Sequence, residues 1–346
     1  METPVRPEQD GAFLHFLYHR TAGRILLRLL SARPVSVIAG KFLDSPFSKV
    51  LIKPFIKRNG ISLEDCETVR FRSFNDCFGR KIREERRPVD KDPQALIAPC
   101  DGLLSAYRIT RGLVIPVKQS RFSLKTLLGG NKIYREYDGG ICLVFRLCVS
   151  HYHRYCYVDR GIRGKNHFLA GKLHTVRPVA LETVPVFTEN CREYTVIDTE
   201  NFGRIVQMEV GAMLVGRILN YRGKREVYRG QEKGKFLYGG STIIVLLQGG
   251  KAELSPGIFQ ATEQGLEVPV RLGERIGTGL ICGRSHILEQ NGCESEKSHE
   301  DNICEGHCKK THRREGGHAP DRTGAALSGR HVPAGKGGGT DAGRDQ

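Results

Sequence analysis

The stretch KGKFLYGGSTIIVLLQGG, residues Lys233 to Gly250, places two glycines, Gly239 and Gly240, directly ahead of Ser241 and Thr242, and then enters the apolar run Ile243 to Leu247. Ile-Ile-Val-Leu-Leu predicts a buried strand. The glycines ahead of it predict a turn, because glycine reaches backbone conformations closed to other residues.

The same dipeptide admits a chemical reading. If the Ser241 hydroxyl attacks the preceding carbonyl, its oxygen must approach the Gly240 carbon in an awkward local geometry, which a residue without a Cβ adopts at less steric cost. An N→O shift then gives an ester, elimination gives a dehydroalanine, and hydrolysis leaves a pyruvoyl group at a new N-terminus. The hydroxyl is unreactive until a base takes its proton, so a base is the next thing to look for.

The segment LCVSHYHRYCYVDRG holds His151 and His153, which alternation would place on one face of a strand, with Arg154 beside them. A histidine titrates close to neutrality and suits both the deprotonation and a later proton return. The segment IAPCDGLLSAY puts Asp101 in a Pro-Cys-Asp-Gly turn that enters a strand, where a carboxylate could fix the tautomer of a histidine. Taken alone, each of these segments also reads as an ordinary surface histidine or a plain turn. They are far apart in sequence, so spacing does not bring them together.

Around these residues, short apolar runs alternate with Gly, Asp and Asn turns from Leu96 to about Gly283. Strands are expected at Gly102 to Tyr107, Leu113 to Val117, Ile141 to Val149, Val184 to Phe187, Tyr194 to Asp198, Ile205 to Val210 and Ile243 to Leu247. A helical insert is expected at SLKTLLGG, closed by Gly129 and Gly130.

Ahead of this β-rich body, residues 12–60 read as helical. Arg20, Arg24 and Arg28 share one face, with Ile25, Leu26, Leu29 and Leu30 on the other side. Ser45 and Pro46 look like an N-cap and first helical position, Lys49, Lys53 and Lys57 repeat the basic stripe, Pro54 should kink the helix and Gly60 should end it. Basic stripes beside apolar faces fit a helix lying in a lipid interface, and equally a surface helix packed on its own domain. Ser73, with Asp76 three residues on, marks a short helix before a charged linker.

The fold class is therefore α+β: a helical region with linker over residues 1–90, a barrel- or sandwich-like β-rich domain over 91–284, and a disordered tail over 285–346. The tail is rich in Gly, charge and His, and its Cys293, His299, Cys304, His307, Cys308 and His312 match no common zinc module, so no metal is expected.

The chain has 346 residues, 39% of them hydrophobic, enough for a core, and a net charge of +16 that favours anionic partners. It has no Trp, and no aromatics interleaved with basics form a base-stacking platform, so lipid or phosphate is favoured over nucleic acid. Eleven cysteines, mostly scattered singly, fit a reducing compartment better than a disulfide framework. The first residues lack a signal-peptide pattern, and no stretch reaches the roughly 18 to 20 apolar residues of a spanning helix. A membrane partner would be met from the surface.

As a set, SFNDCFGRKI, APCDGLL, VKQSRFSLKTLLGG, HYHRYCYVD, ENCREYTVIDTENFG, MEVGAMLVGRI and RGQEKGKFLYGGSTIIVLL resemble, in order and interval, the phosphatidylserine decarboxylases. The resemblance runs from about Phe13 to Ile281. It implies a proenzyme cut between Gly240 and Ser241 into a β chain of residues 1–240 and an α chain of residues 241–346 headed by pyruvoyl, the two remaining together as a heterodimer. It implies phosphatidylserine as substrate, decarboxylated to phosphatidylethanolamine through a Schiff base on the pyruvoyl ketone, and a peripheral place on the cytoplasmic side of the cell membrane against its anionic surface.

The family's Asp-His-Ser set maps onto Asp101, His153 and Ser241. Well-known members of the family carry a second histidine three residues after the first, where this chain has Cys156, so His153 would serve both steps, or His151 or His174 would substitute. The family's Leu-Gly-Ser-Thr is Gly239-Gly240-Ser241-Thr242 here, with the scissile pair intact. A non-enzymatic lipid binder on the same scaffold is the alternative. A conventional serine hydrolase is disfavoured, because no Gly-x-Ser-x-Gly elbow surrounds Ser241.

Overall fold

The computed structural model describes residues 2–7, 10–31, 33–110, 115–117, 120–212, 217–237 and 241–280. Gly240, on which the expected cleavage falls, the tail from 285 onward, its cysteines and histidines, residues 113–114 and residues 213–216 lie outside the described residues.

The apolar run after Ser241 is the strand that organises the rest. The main sheet has eight strands, numbered here along the chain: β1 Gly102–Arg108, β2 Ile141–Leu147, β3 Gly161–Leu169, β4 Arg192–Thr199, β5 Arg204–Gly211, β6 Glu226–Val227, β7 Ser241–Leu247 and β8 Val268–Val270. Their lateral order is β6-β3-β4-β5-β7-β2-β1-β8, and every neighbouring pair is antiparallel. β6 and β8 are the sheet's two edges and do not pair with each other, so the sheet stays open where the sequence allowed a barrel.

β7 lies inside the sheet and is buried at every residue, which is why its sequence shows no polar alternation. Ile243, Val245 and Leu247 enter one core, together with Leu104, Phe145, Leu147 and Ile205. Ile244 and Leu246 enter a second core, on the opposite face, with Val144, Val206, Met208 and Val210.

The first core is covered by two small sheets. One comprises Ile218–Asn220, Glu232–Phe236 and Arg154–Cys156; the other comprises Ala95–Ile97, Arg275–Gly279 and Ala252–Leu254. The second core is covered by helices: α1 Ala12–His19, α2 Thr21–Leu30, and the short helices Leu124–Leu127, Pro178–Thr183 and Val186–Glu189. The architecture is thus layered α+β.

Three local expectations need correction. Val184 to Phe187 do not form a strand. Pro185 caps the one-turn helix Val186–Glu189, whose Val186 and Phe187 are buried, and a four-residue apolar run carries no periodicity to separate the two outcomes. Ser45 and Pro46 open a 3₁₀ turn, Pro46–Leu51, with no side-chain cap, and α4, Ile52–Asn59, starts after it. Pro54 therefore falls in the first turn of α4, where its missing N–H has no helical partner to lose, and it does not kink a longer helix. Gly60 ends α4 as expected, in the left-handed region at φ 59°.

Between α2 and α4 runs α3, Arg33–Asp44. The short helix α5, Phe74–Phe78, carries the expected cap: the Asp76 N–H donates to Ser73 Oγ at 3.2 Å. Leu43, Phe74 and Phe78 form a third, small core with the half-buried Ile52 and Phe55.

On α2, Leu27 is buried and Leu26 and Leu30 pack on the second core, while Ile25 and Leu29 stay in solvent beside Arg28. Gly23 faces α1 so closely that a Cβ there would lie 2.0 Å from the Phe16 carbonyl oxygen. No helix among the described residues is long and apolar enough to cross a membrane.

Candidate active site

Ser241 is the first residue of β7 and is 1% exposed. It stands opposite Leu147 of β2 on one side and Gly211 of β5 on the other. By strand alternation its side chain belongs to the face of Ile243 and Val245, the one covered by the small sheets.

Two chain paths leave this row and meet again. From Leu147 the chain turns through Cys148 and His151, closed by the bond from the His151 N–H to the Cys148 carbonyl, and reaches His153. From Ser241 it runs back to Phe236, whose N–H donates to the His153 carbonyl at 2.9 Å. His153 is thus anchored to the strand that precedes Ser241 in the chain.

His151 and His153 do not lie on a strand; the strand begins at Arg154, and both histidines sit in the turn before it. The His153 ring is fully buried, with Phe78 of α5 packed on it at a centroid distance of 4.0 Å. Its Nδ1 is 2.9 Å from the His151 carbonyl oxygen. A carbonyl can only accept, so Nδ1 carries the proton, and in the neutral ring Nε2 presents its lone pair. That Nε2 is buried without a hydrogen-bond partner. Burial pushes the ring's pKa down to about 3, which keeps it neutral.

Asp101 sits in the turn before β1. Leu103 pairs with Arg146, so Gly102 falls in the row of Leu147, and Asp101 lies at the same end of the sheet as Ser241. Its carboxylate is occupied: Arg87 donates from Nε at 2.8 Å and from Nη2 at 2.6 Å, and the Leu272 N–H donates at 2.9 Å. No hydrogen bond joins Asp101 to His153, whose orienting partner is the His151 carbonyl.

His174 is also near this row, but from the other side. Asn190 clamps its backbone and donates to the Gly211 carbonyl at 2.7 Å, while the His174 ring meets Tyr18 of α1 and Glu189. Tyr18 belongs to the helix-covered core, the face opposite the Ser241 side chain. His151 is turned back on its own loop, its Nδ1 accepting from the Cys148 N–H at 3.1 Å. Cys156 is buried, and burial pushes its thiol up to about 12, so it remains protonated at neutral pH.

A cavity of about 780 Å³ opens beside the Arg87–Asp101 pair, lined among others by Tyr152, Cys156, Arg229, Glu232 and Leu272. Neither Ser241 nor His153 lines it. Two arginines were invisible as site residues in the sequence. Arg87 stood in a charged linker and Arg80 at the end of a short helix, and nothing in either stretch announces that the first is half-buried against Asp101 or that the second is buried.

Ser241 is buried at the head of a central strand, and the loop that carries the neutral His153 is bonded to the strand preceding it. Residues 74–278 match the family model described as phosphatidylserine decarboxylase. A Clostridium acetobutylicum protein described as phosphatidylserine decarboxylase proenzyme 2 is 40% identical over 265 residues, 76% of this chain and 91% of its own length. Phosphatidylserine decarboxylase proenzymes of Clostridium beijerinckii and Clostridium perfringens are 35% and 37% identical, over 78% and 77% of this chain and 93% and 92% of theirs. The chain belongs to the phosphatidylserine decarboxylase family.

Proposed function

We propose that this chain is a phosphatidylserine decarboxylase proenzyme, a carboxy-lyase that cuts itself between Gly240 and Ser241 and converts phosphatidylserine to phosphatidylethanolamine and CO2. Supporting it above all is the placement of Ser241, buried at the start of the central strand, with His153 anchored to the incoming chain and its Nε2 lone pair uncommitted.

His153 Nε2 takes the proton of the Ser241 hydroxyl. The oxygen forms an ester with the Gly240 carbonyl carbon as the peptide C–N bond breaks and the nitrogen is protonated. Loss of the Ser241 Cα proton then expels Gly240 as a carboxylate. Water releases ammonia from the resulting enamine and leaves a ketone, so residues 1–240 and 241–346 become a β and an α chain that stay associated.

The pyruvoyl group so formed supplies a ketone for the headgroup amine and a conjugated carbonyl that takes up the electrons left behind by CO2. Position 241 suits such a group, because its burial keeps bulk water off a reactive carbonyl. His153 Nε2 passes on the proton that the substrate carbon takes back without holding it at rest, because burial keeps the ring neutral. The buried Cys156 thiol is protonated at neutral pH and cannot act as a base.

The helical region supports a peripheral place on an anionic, cytoplasm-facing membrane surface. From Ser45 to Leu63 there is no acidic residue, while Lys49, Lys53, Lys57 and Arg58 accompany the exposed Phe47, Val50 and Leu51.

Denaturing electrophoresis with intact mass measurement tests the reading. The wild-type chain gives two pieces, the smaller one blocked to Edman sequencing until its keto group is converted, and Ser241→Ala gives one intact chain without decarboxylase activity. Active wild-type protein with the 240–241 bond whole and Ser241 free would overturn it.

A further inference from the structure

Arg80 follows α5 and is buried, 5% exposed. Its Nη2 donates to the Ser150 carbonyl at 2.9 Å and to the His151 carbonyl at 3.4 Å. No carboxylate pairs with it among the described residues, and its Nε and Nη1 are buried without partners. The Cys66 thiol is hydrogen-bonded to the guanidinium and the Cys77 thiol lies within its field, but burial raises both, so neither supplies an anion. A buried guanidinium without a counter-ion is costly, and its uncompensated charge falls on the carbonyls it touches.

One of those carbonyls does double duty. The His151 oxygen accepts from Arg80 and, at 2.9 Å, from His153 Nδ1. Arg80 therefore fixes in place the acceptor that decides which ring nitrogen of His153 carries hydrogen. We propose that Arg80, acting through the His151 carbonyl, is the positioning residue that sets the His153 tautomer, Nδ1–H with an open Nε2, in the role that a carboxylate plays in Ser-His-Asp sites.

Asp101, clamped by Arg87, is left to hold the turn at the entrance of β1. The uncompensated cation beside the ring also disfavours the imidazolium, so His153 stays a neutral acceptor until it meets the serine proton. This inference rests on the self-cleavage reading for its consequence, but its geometry stands apart from that reading.

The test uses full-length Ser241→Ala protein labelled with 15N-histidine, with His153 assigned by its loss in a His153→Gln variant. Long-range 1H–15N correlation spectra should show a pyrrole-like Nδ1 and a pyridine-like Nε2. In Arg80→Met a second tautomer appears, and on the wild-type Ser241 background self-cleavage slows on the order of 10- to 100-fold, the range carried by a hydrogen bond to a charged group. Arg80→Lys falls between the two.

A merely structural arginine would lower stability and leave the tautomer unchanged. An Nε2–H tautomer with Arg80 present, or a single Nδ1–H tautomer and wild-type cleavage in Arg80→Met, overturns the proposal. Should Arg80→Met fail to fold, the tautomer of the Arg80 protein and the cleavage rate of Arg80→Lys decide it. An active wild-type chain with an uncut 240–241 bond sinks the self-processing reading alone, because the tautomer is read in a variant that cannot cut.

Discussion

The burial that keeps His153 neutral also makes it sensitive to acid. In the unfolded chain the ring titrates near its ordinary 6.5, and in the folded chain at about 3. Between those values the unfolded state binds a proton that the folded state does not. Stability contributed at this position is therefore complete above pH 6.5 and falls as pH drops toward 3, by about 1.4 kcal/mol for each unit. On a Ser241→Ala background, which keeps a single chain in both arms, urea midpoints at pH 7 and pH 5 should separate by less in His153→Gln than in the parent. Equal separations would mean that the ring gains no proton on unfolding.

The sequence marked this histidine as a candidate, because HYHRYC carried it in a recognisable order. It did not mark the orienter. A backbone carbonyl two residues away leaves no trace in side-chain identity, and Asp101, the residue that did look like an orienter, is taken by an arginine whose partner only the fold reveals.

At the scale of elements, the helical layer shows what periodicity can and cannot tell. The basic stripes are exposed as expected, yet the apolar residues beside them divide in two. Leu27 goes into the core, while Ile25, Leu29, Phe47 and Val50 remain outside. A sequence pattern marks an apolar arc but not what covers it. The 3₁₀ turn at Pro46–Leu51 is the most exposed part, with Phe47 at 80% and Val50 at 74%.

If this turn enters an anionic leaflet, replacing both residues by Asp should weaken co-sedimentation with phosphatidylserine-containing vesicles by at least about 10-fold, since each large apolar side chain is worth roughly 1.5–3 kcal/mol when buried. Self-cleavage should be unaffected, because the pair lies outside the cores. Arg20, Arg24 and Arg28 changed to Glu should lower the same binding with a stronger dependence on salt. Arg24 contributes less to that effect, since its Nε also donates to the Tyr18 carbonyl at 3.3 Å. Unchanged vesicle binding in both sets would place the membrane contact elsewhere.

Across the whole molecule, function requires the overlying sheet that anchors His153 to sit correctly on the main sheet that bears Ser241. Apolar contact supplies most of that union, and polar ties cross it as well: Gln207 Nε2 on β5 donates to the Cys156 carbonyl at 3.0 Å, and a buried ion pair lies beside it. Lys233 Nζ lies 2.6 and 2.7 Å from the two carboxylate oxygens of Glu209 on β5, both residues are at most 1% exposed, and Asn220 bridges them. Burial pushes Glu209 up and Lys233 down, each toward its neutral form, and their attraction opposes both shifts. Lys233→Met leaves a carboxylate buried without its cation and should cost about 3–5 kcal/mol, whereas the double variant Lys233→Met with Glu209→Leu should recover much of it, because a packed apolar pair removes the stranded charge. Denaturant midpoints of the two single variants and the double variant, all on the Ser241→Ala background, measure that coupling. The same substitutions on the Ser241 background separate stability from register. If the tie only stabilises, self-cleavage in the double variant returns with stability. If the ion pair fixes where the overlying sheet docks, the double variant folds but still cuts slowly, because Phe236 and the His153 it anchors have shifted relative to the head of β7.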